Sequence, residues 1–290
     1  MKDTSRLKKL FQHLLQIQVV LEFPNQSSIE SRFQLCTVSA CVIEVRGCWF
    51  LLSAGHLVTE LKEFVFAKNA RIETCKLLDC SSIDRDWPPI PFPIFDTAQQ
   101  SFFAEGVPHY SIHEESGADF LFIGLRQNEI DLLTAGGVIA LSESFWKACP
   151  ETVSRYYLVG LPTSLRSGGA VVVSRRLRVD GEHTAIAVPV EPCVPPTGFE
   201  TDAERFYAKV PLISNVLDGK AFSEIEGMSG GPIFACRNVN DSEVEYFLLA
   251  VQSGWFKSDR VITACPLKPL VNLIAEKVDA HILNALDASS

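Results

Sequence analysis

The chain has 290 residues, 47% of them hydrophobic, and a formal charge of −9 at neutral pH. That length and apolar content support one or two domains with a large buried core, and no tract is biased enough for wholesale disorder. The acidic balance argues against a nucleic-acid surface; the local run Arg175-Arg176-x-Arg178 alternates with Val173, Leu177 and Val179 and reads as the wet face of a strand.

No secretory leader and no membrane span are expected. Met1-Lys-Asp-Thr-Ser-Arg leads into no long apolar core, and Leu14 to Phe23 is short and holds Gln16, Gln18 and Glu22. The nine cysteines are an odd number. Cys36/Cys41 and Cys75/Cys80 are each separated by four residues, and no pair has C-x-x-C spacing. Neither a structural metal nor a cofactor is expected, and the thiols are read as mostly reduced and buried in a cytoplasmic protein.

In chain order, Leu7, Leu10, Phe11 and Leu14 fall at helical spacing behind Thr4 or Ser5, with His13 on or beside the solvated side. Gln16 to Phe23 turns strand-like. Gln34 to Val45 and Cys48 to Leu52 are apolar and β-branched about Arg46-Gly47, a tight hairpin that delivers His56 just beyond its second strand. Phe64 to Phe66 and Arg71 to Leu78 read as further short strands. Four prolines make Asp84 to Phe95 an extended loop, and polar Gly106 to Gly117 reads as a loop leading into a strand at Asp119. Leu141 to Ala148 is a short helical or turn-like connector, and the expected domain boundary lies there, between residues 1–148 and 149–290. Strands follow at Arg155 to Pro162, Ala170 to Val179, Thr184 to Val190, Phe206 to Leu212, Val244 to Gln252 and Arg260 to Ala264. Leu267 to Leu286 has the period of an amphipathic helix, with Leu270, Val271, Ile274, Val278 and Ile282 on one side. Closely spaced short strands indicate a barrel or sandwich, not βα units.

Three short stretches carry chemistry. Glu226-Gly-Met-Ser-Gly-Gly-Pro-Ile-Phe234 sets a serine among glycines, which frees backbone N–H groups around Ser229. A serine hydroxyl attacks a carbonyl only with a base in reach and donors for the developing oxyanion. Leu51-Leu-Ser-Ala-Gly-His-Leu-Val58 supplies a histidine at a strand end, and Gly117-Ala-Asp-Phe-Leu-Phe-Ile-Gly-Leu125 an aspartate opening a strand.

In the order His56, Asp119, Ser229, the chain resembles the trypsin-like (chymotrypsin-fold) serine peptidases, above all their disulfide-poor bacterial members. The resemblance covers roughly residues 33 to 275, and its specific part is those three motifs. It implies a mainly β fold of two antiparallel six-stranded barrels, with a short N-terminal helix and a C-terminal helix packed on a barrel. It further implies an oxyanion hole at the N–H groups of Gly227 and Ser229, substrate main-chain pairing along Ser253-Gly254-Trp255, and Ser223 at the base of the primary specificity pocket. A neutral Ser223 would favour uncharged side chains, although Glu224 and Glu226 lie close by. The family usually has the aromatic before the glycine in the pairing segment. Leu57 and Ile225 stand where secreted relatives carry disulfide cysteines, Cys41 lacks the mate of the first bridge, and no Ile-Val-Gly-Gly activation terminus is present; these departures fit an intracellular enzyme needing no zymogen cleavage.

The expected function is therefore serine endopeptidase acting on a protein or peptide substrate, with regulation by a protein partner open. The alternative is the same fold used as a binding or scaffold module, its triad idle or gated by a partner. Gly227-x-Ser229-x-Gly231 also satisfies the α/β-hydrolase elbow, but too little chain follows for an acid, a histidine and further βα units. His109-x-x-x-His113 with Glu114 and Glu115 mimics a metal cluster without the glutamate a zinc helix needs, and reads as a polar loop near the cleft.

Overall fold

Alternation of side chains along the strands builds two β layers that share one apolar seam. The computed structural model describes residues 4–24, 26, 32–79, 89–92, 94–96, 101–102, 109–113, 118–147, 152–165, 170–173, 176–179, 184–199, 203–211, 213–217, 220–222, 224–238 and 244–287. After a helix over Thr4–Phe11 (α1) come strands Leu14–Glu22 (β1), Phe33–Val45 (β2), Cys48–Ser53 (β3), Arg71–Asp79 (β4), Ile90–Pro91 (β5), His109–His113 (β6) and Asp119–Gly124 (β7). They form one antiparallel sheet in the order β5-β4-β1-β2-β3-β7-β6, seven strands where six were expected. The β2–β3 hairpin turns on Arg46 and Gly47, at φ 54° and 75°. Two consecutive positive φ values match the right-handed twist of the paired strands.

The second half supplies Arg155–Gly160 (β8), Ile186–Pro192 (β9), Phe206–Lys209 (β10), Pro232–Asn238 (β11), Val244–Phe256 (β12) and Val261–Pro266 (β13). These close into a six-stranded barrel in the order β8-β9-β10-β13-β12-β11. Three two-stranded hairpins, among them Ala170–Val173 with Arg176–Val179, stand apart from both sheets; the side chains of Arg175, Arg176 and Arg178 lie outside the described residues.

Period-2 alternation assigns each strand face. On β2, Val38, Ala40 and Val42 enter the core of the first sheet, while Cys41, Ile43 and Val45 face the seam between the halves. Tyr157, Val159, Phe234 and Leu248 of the barrel meet that seam, as do Leu10 of α1 and Leu270, Val271, Ile274 and Val278 of the helix Leu267–Asp287 (α4). The barrel encloses its own core of Leu158, Val188, Ile233, Ala250, Ile262 and Ala264. Among the described residues no helix is long and apolar enough to cross a membrane.

Three local expectations change, and one further helix appears. His13 is not solvated: it is 1% exposed. Its Nδ1 donates to the Ile139 carbonyl at 2.6 Å, so its Nε2, 3.0 Å from the Tyr246 hydroxyl, accepts in the neutral ring. Phe64 to Phe66 is not a strand. His56–Lys62 is a helix (α2) that buries Leu57, Val58 and Leu61, and a π-helical turn over Glu63–Ala67 extends it, with Lys68 N–H donating to Glu63 C=O at 3.1 Å. Residues 109–113 of the expected polar loop pair with β7 as a strand. A further helix, Gln127–Gly136 (α3), starts where buried Glu129 accepts the Arg126 N–H at 2.8 Å and stops at Gly137, whose φ of 99° suits a left-handed cap. The seven described cysteines are free; three are buried, three half-buried, and Cys48 is exposed. Residues 80–88, with Asp84 and Asp86, lie outside the described residues.

Candidate active site

Strand β3 runs out at Ser53, and the next turn is squeezed between the neighbouring strands. A Cβ on Gly55 would sit 2.0 Å from the Ile112 carbonyl oxygen and 2.7 Å from that of Phe120, so only glycine passes there. That crowding fixes the start of α2, where His56 meets the first residue of β7. Asp119 accepts the His56 backbone N–H at Oδ1 and the imidazole Nδ1–H at Oδ2, both at 2.8 Å. One carboxylate thereby fixes both the main chain and the ring. With Nδ1 holding the proton, Nε2 keeps its lone pair and is a base.

Asp119 is 5% exposed, and its carboxylate gains from a positive neighbour. Burial opposes charge on the ring, but the hydrogen bond and charge of Asp119, with Glu60 adding, outweigh it and hold the His56 pKa above its ordinary 6.5. Behind the aspartate, the Cys265 thiol donates to the Asp119 carbonyl at 3.2 Å and accepts the Asp119 N–H at 3.4 Å. Burial raises the thiol's pKa, against the opposing pull of Arg205, so it stays protonated and able to donate.

The serine segment is two successive turns. Met228 N–H donates to Ile225 C=O at 3.0 Å, and Gly231 N–H to Met228 C=O at 2.8 Å. Gly227 (φ 88°) and Gly230 (φ 82°) occupy the third position of each, where type II turns need positive φ. Ser229 is the second residue of the latter turn and is half-buried. In a trans peptide the C=O and N–H point opposite ways. Glu226 C=O is taken by Thr163 N–H at 2.7 Å and Met228 C=O by Gly231 N–H at 2.8 Å. The Gly227 and Ser229 N–H groups therefore face away from those partners, and no acceptor among the described residues engages them.

The serine turn is seated on the first sheet by Ser39 of β2, which is fully buried. Ser39 N–H donates to the Ser229 carbonyl at 2.8 Å, and its hydroxyl donates to the Gly227 carbonyl at 3.0 Å and accepts Leu161 N–H at 3.1 Å. A Cβ on Gly230 would lie 2.1 Å from Ser39 O, 2.2 Å from Ser53 Oγ and 3.0 Å from Ala54 N. The residue after the serine thus packs on the strand end that leads into His56.

Ser253, Gly254 and Trp255 lie on β12 at an irregularity: Gln252 pairs with Ala264 and Gly254 with Thr263, so Ser253 is the extra residue of a bulge. Thr263 would crowd any side chain at 254, with Cγ2 2.5 Å from an added Cβ. The glycine-before-aromatic order follows from the bulge, which puts glycine opposite Thr263 and tryptophan opposite Ile262. Ser253 Oγ accepts from Arg205 at 2.7 Å; the same guanidinium donates to Thr263 Oγ1 at 2.9 Å and Cys265 Sγ at 3.0 Å. Ser223 lies outside the described residues. Glu224 and Glu226 turn outward to Lys257, at 2.7 and 3.7 Å.

Sequence reasoning missed Ser39, Arg205 and Cys265. Each acts through contacts between residues 48 or more positions apart, and none sits in a recognisable motif. Among the described residues no group of three or more histidine, cysteine, aspartate or glutamate side chains is arranged to hold a metal ion.

No protein-family model matches the sequence, and no curated protein matches it in sequence. Similar solved structures include a thermostable serine protease, AL20, from an extremophilic microorganism, at 12% identity and TM-score 0.40, covering 88% of this chain and 91% of the other. Protease Anisep from Arthrobacter nicotinovorans is 13% identical, with TM-score 0.41 over 88% of this chain and 90% of its own. A mutant of the Tobacco etch virus protease is 9% identical, with TM-score 0.42 over 91% and 77%. The likeness extends to serine proteases and viral proteases alike.

Proposed function

We propose that the protein is a serine endopeptidase in which Ser229, His56 and Asp119 form a catalytic triad of the trypsin-like kind. The observation that carries this reading is the double grip of Asp119 on His56, at 2.8 Å for both main chain and ring, at the strand end on which the Ser229 turn is seated. His56 Nε2 takes the Ser229 proton as the hydroxyl oxygen attacks the scissile carbonyl. The Gly227 and Ser229 N–H groups receive the oxyanion, and Asp119 stabilises the imidazolium. His56 then protonates the leaving amine, and water hydrolyses the acyl-enzyme by the same base. The substrate main chain lies along Ser253-Gly254-Trp255, with Ser223 near the pocket floor. The half carrying His56 and Asp119 ends near residue 148, and the half carrying Ser229 begins there. Free thiols fit a reducing compartment, the cytoplasm.

A fluorophosphonate probe tests this directly. Labelling of wild type at Ser229, abolished in Ser229→Ala, is the expected result; absence of labelling together with absence of cleavage of any protein tested would refute it. Cleavage that begins only on adding a protein partner would identify a gated enzyme.

A further inference from the structure

We propose that Arg205 and Cys265 are positioning residues of this site: the guanidinium locks the substrate-pairing edge of β12, and the thiol it orients holds the main chain of Asp119. This rests on the serine-peptidase reading above. Arg205 stands one residue before β10, and the pairing of Phe206 with Ala264, carried one step back, sets it opposite Cys265 of β13. Thr263 and Cys265 lie two apart on β13 and so share a face. One planar guanidinium gathers both of them and Ser253 of β12. Its Nη2 donates to Ser253 Oγ at 2.7 Å, its Nε to Thr263 Oγ1 at 2.9 Å and its Nη1 to Cys265 Sγ at 3.0 Å. The three acceptor residues are each 6% exposed.

The guanidinium has no lone pair to offer, so the sulfur accepts from it. The sulfur also accepts the Asp119 N–H, at 3.4 Å, and the thiol proton goes to the Asp119 carbonyl at 3.2 Å. The main chain of Asp119 is thus clamped on both sides of its Cα, while its carboxylate grips His56 by two bonds of 2.8 Å. Asp119 belongs to the first sheet and Cys265 to the barrel. The clamp therefore sets the aspartate against the half that carries Ser229.

Another arm of the fork ends on the substrate side. β12 is paired along both edges as far as Gln252, whose C=O accepts Gly230 N–H at 2.7 Å and whose N–H donates to Gly231 C=O at 2.9 Å. From Ser253 to Phe256 it pairs, among the described residues, only with β13. An open strand edge that begins beside the nucleophile turn can take an extended peptide by main-chain hydrogen bonds. Ser253 opens that edge and, as the extra residue of the bulge, has no counterpart in the β13 register. Arg205 supplies the hold that the register does not. Removing the thiol disturbs the aspartate alone; removing the guanidinium disturbs the aspartate and the edge.

The test uses the full chain and two probes: fluorophosphonate labelling reads the triad, and the best-cleaved member of a pooled peptide library also needs the edge. Cys265→Ala should slow labelling and cleavage equally, by about tenfold, and Cys265→Ser, which keeps a donor and acceptors, should recover most of both. Arg205→Met should slow labelling about tenfold but lower kcat/KM about 100-fold, the extra factor lying in KM. Arg205→Lys, which keeps the charge without the fork, should fall nearly as far. In Cys265→Ala the His56 imidazole, followed by NMR, should titrate closer to 6.5 than in wild type. The charges that raise it are Asp119, whose grip is loosened, and Glu60, which the change leaves in place. Thermal melts identify folded variants; if Cys265→Ala does not fold, Arg205→Lys carries the same titration. Folded variants with wild-type labelling, cleavage and His56 titration overturn the inference. So do losses with an unmoved titration, the mark of a merely structural role. Equal losses with both probes in Arg205→Met, or wild type that labels but cleaves no library member, overturn the role at the edge. Wild type that neither labels nor cleaves overturns the peptidase reading, and the His56 titration still decides whether Arg205 and Cys265 set Asp119.

Discussion

Acid should loosen the joint between the two halves through His13. The ring bridges the Ile139 carbonyl and the Tyr246 hydroxyl and packs against Phe145, Phe234 and Tyr246, so it ties β11 and β12 of the barrel to the first half. Burial pushes its pKa down from 6.5 to about 4, only partly offset by the Ile139 carbonyl. Near neutral pH the ring is uncharged in both folded and unfolded chains, and the whole stabilisation is present. As pH falls below 6.5 the unfolded chain binds a proton that the folded chain refuses until about 4, so stability drains away across that window. At about 1.4 kcal/mol per pH unit the loss reaches about 3 kcal/mol, a large share of a typical domain's stability. Urea unfolding of wild type and His13→Gln, compared at several pH values from about 7 to about 4, isolates this residue because other titrations cancel in the difference. The advantage of wild type should shrink by about 3 kcal/mol over that range. A difference that does not move with pH, or an imidazole resonance titrating near its ordinary value, would refute the assignment.

Three further outcomes follow from the site. Asp119→Asn removes the carboxylate that fixes the His56 tautomer and should lower kcat by about 10⁴-fold. In wild type, kcat/KM should rise with pH along a limb whose midpoint lies above 6.5, because His56 must be neutral to act as base and Asp119 raises its pKa; a midpoint below 6.5 would contradict the pairing. Gly230→Ala places a Cβ 2.1 Å from the Ser39 carbonyl at φ 82° and must push the serine turn off β2. Cleavage should drop by about 100-fold or more, whereas Gly198→Ala, at φ 84° with open space around it, should cost only about 1–2 kcal/mol of stability and spare activity. Equal effects from the two alanines would show that the seating of residue 230 does not matter.

Much of the fold was legible because burial patterns are local. The hairpin about Arg46-Gly47, the strand opened by Asp119 and the long C-terminal helix follow from period-2 and period-3.6 apolar spacing and from glycine at turns. Gln127–Gly136 was hidden because its few apolar residues, such as Ile130 and Leu133, make a weak stripe; its signals were the acid three residues past Arg126 and the glycine at 137. His13 was misread because two residues past the end of α1 the helical period no longer says which way a side chain points. It belongs instead to the seam that only the meeting of two sheets creates.

By itself the sequence determined the chemistry on offer: a serine in a glycine frame, a histidine after a strand and an aspartate before one, in that order. Those are properties of residue type and near neighbours, and near neighbours are what a linear chain records. Only the tertiary structure decided that Asp119 holds His56 by two bonds, that Ser39 seats the serine turn, and that a one-residue bulge at Ser253 sets Gly254 opposite Thr263. Each of these joins residues that are distant along the chain or shifted in register. Their geometry is set by how strands align across space, which no local pattern encodes.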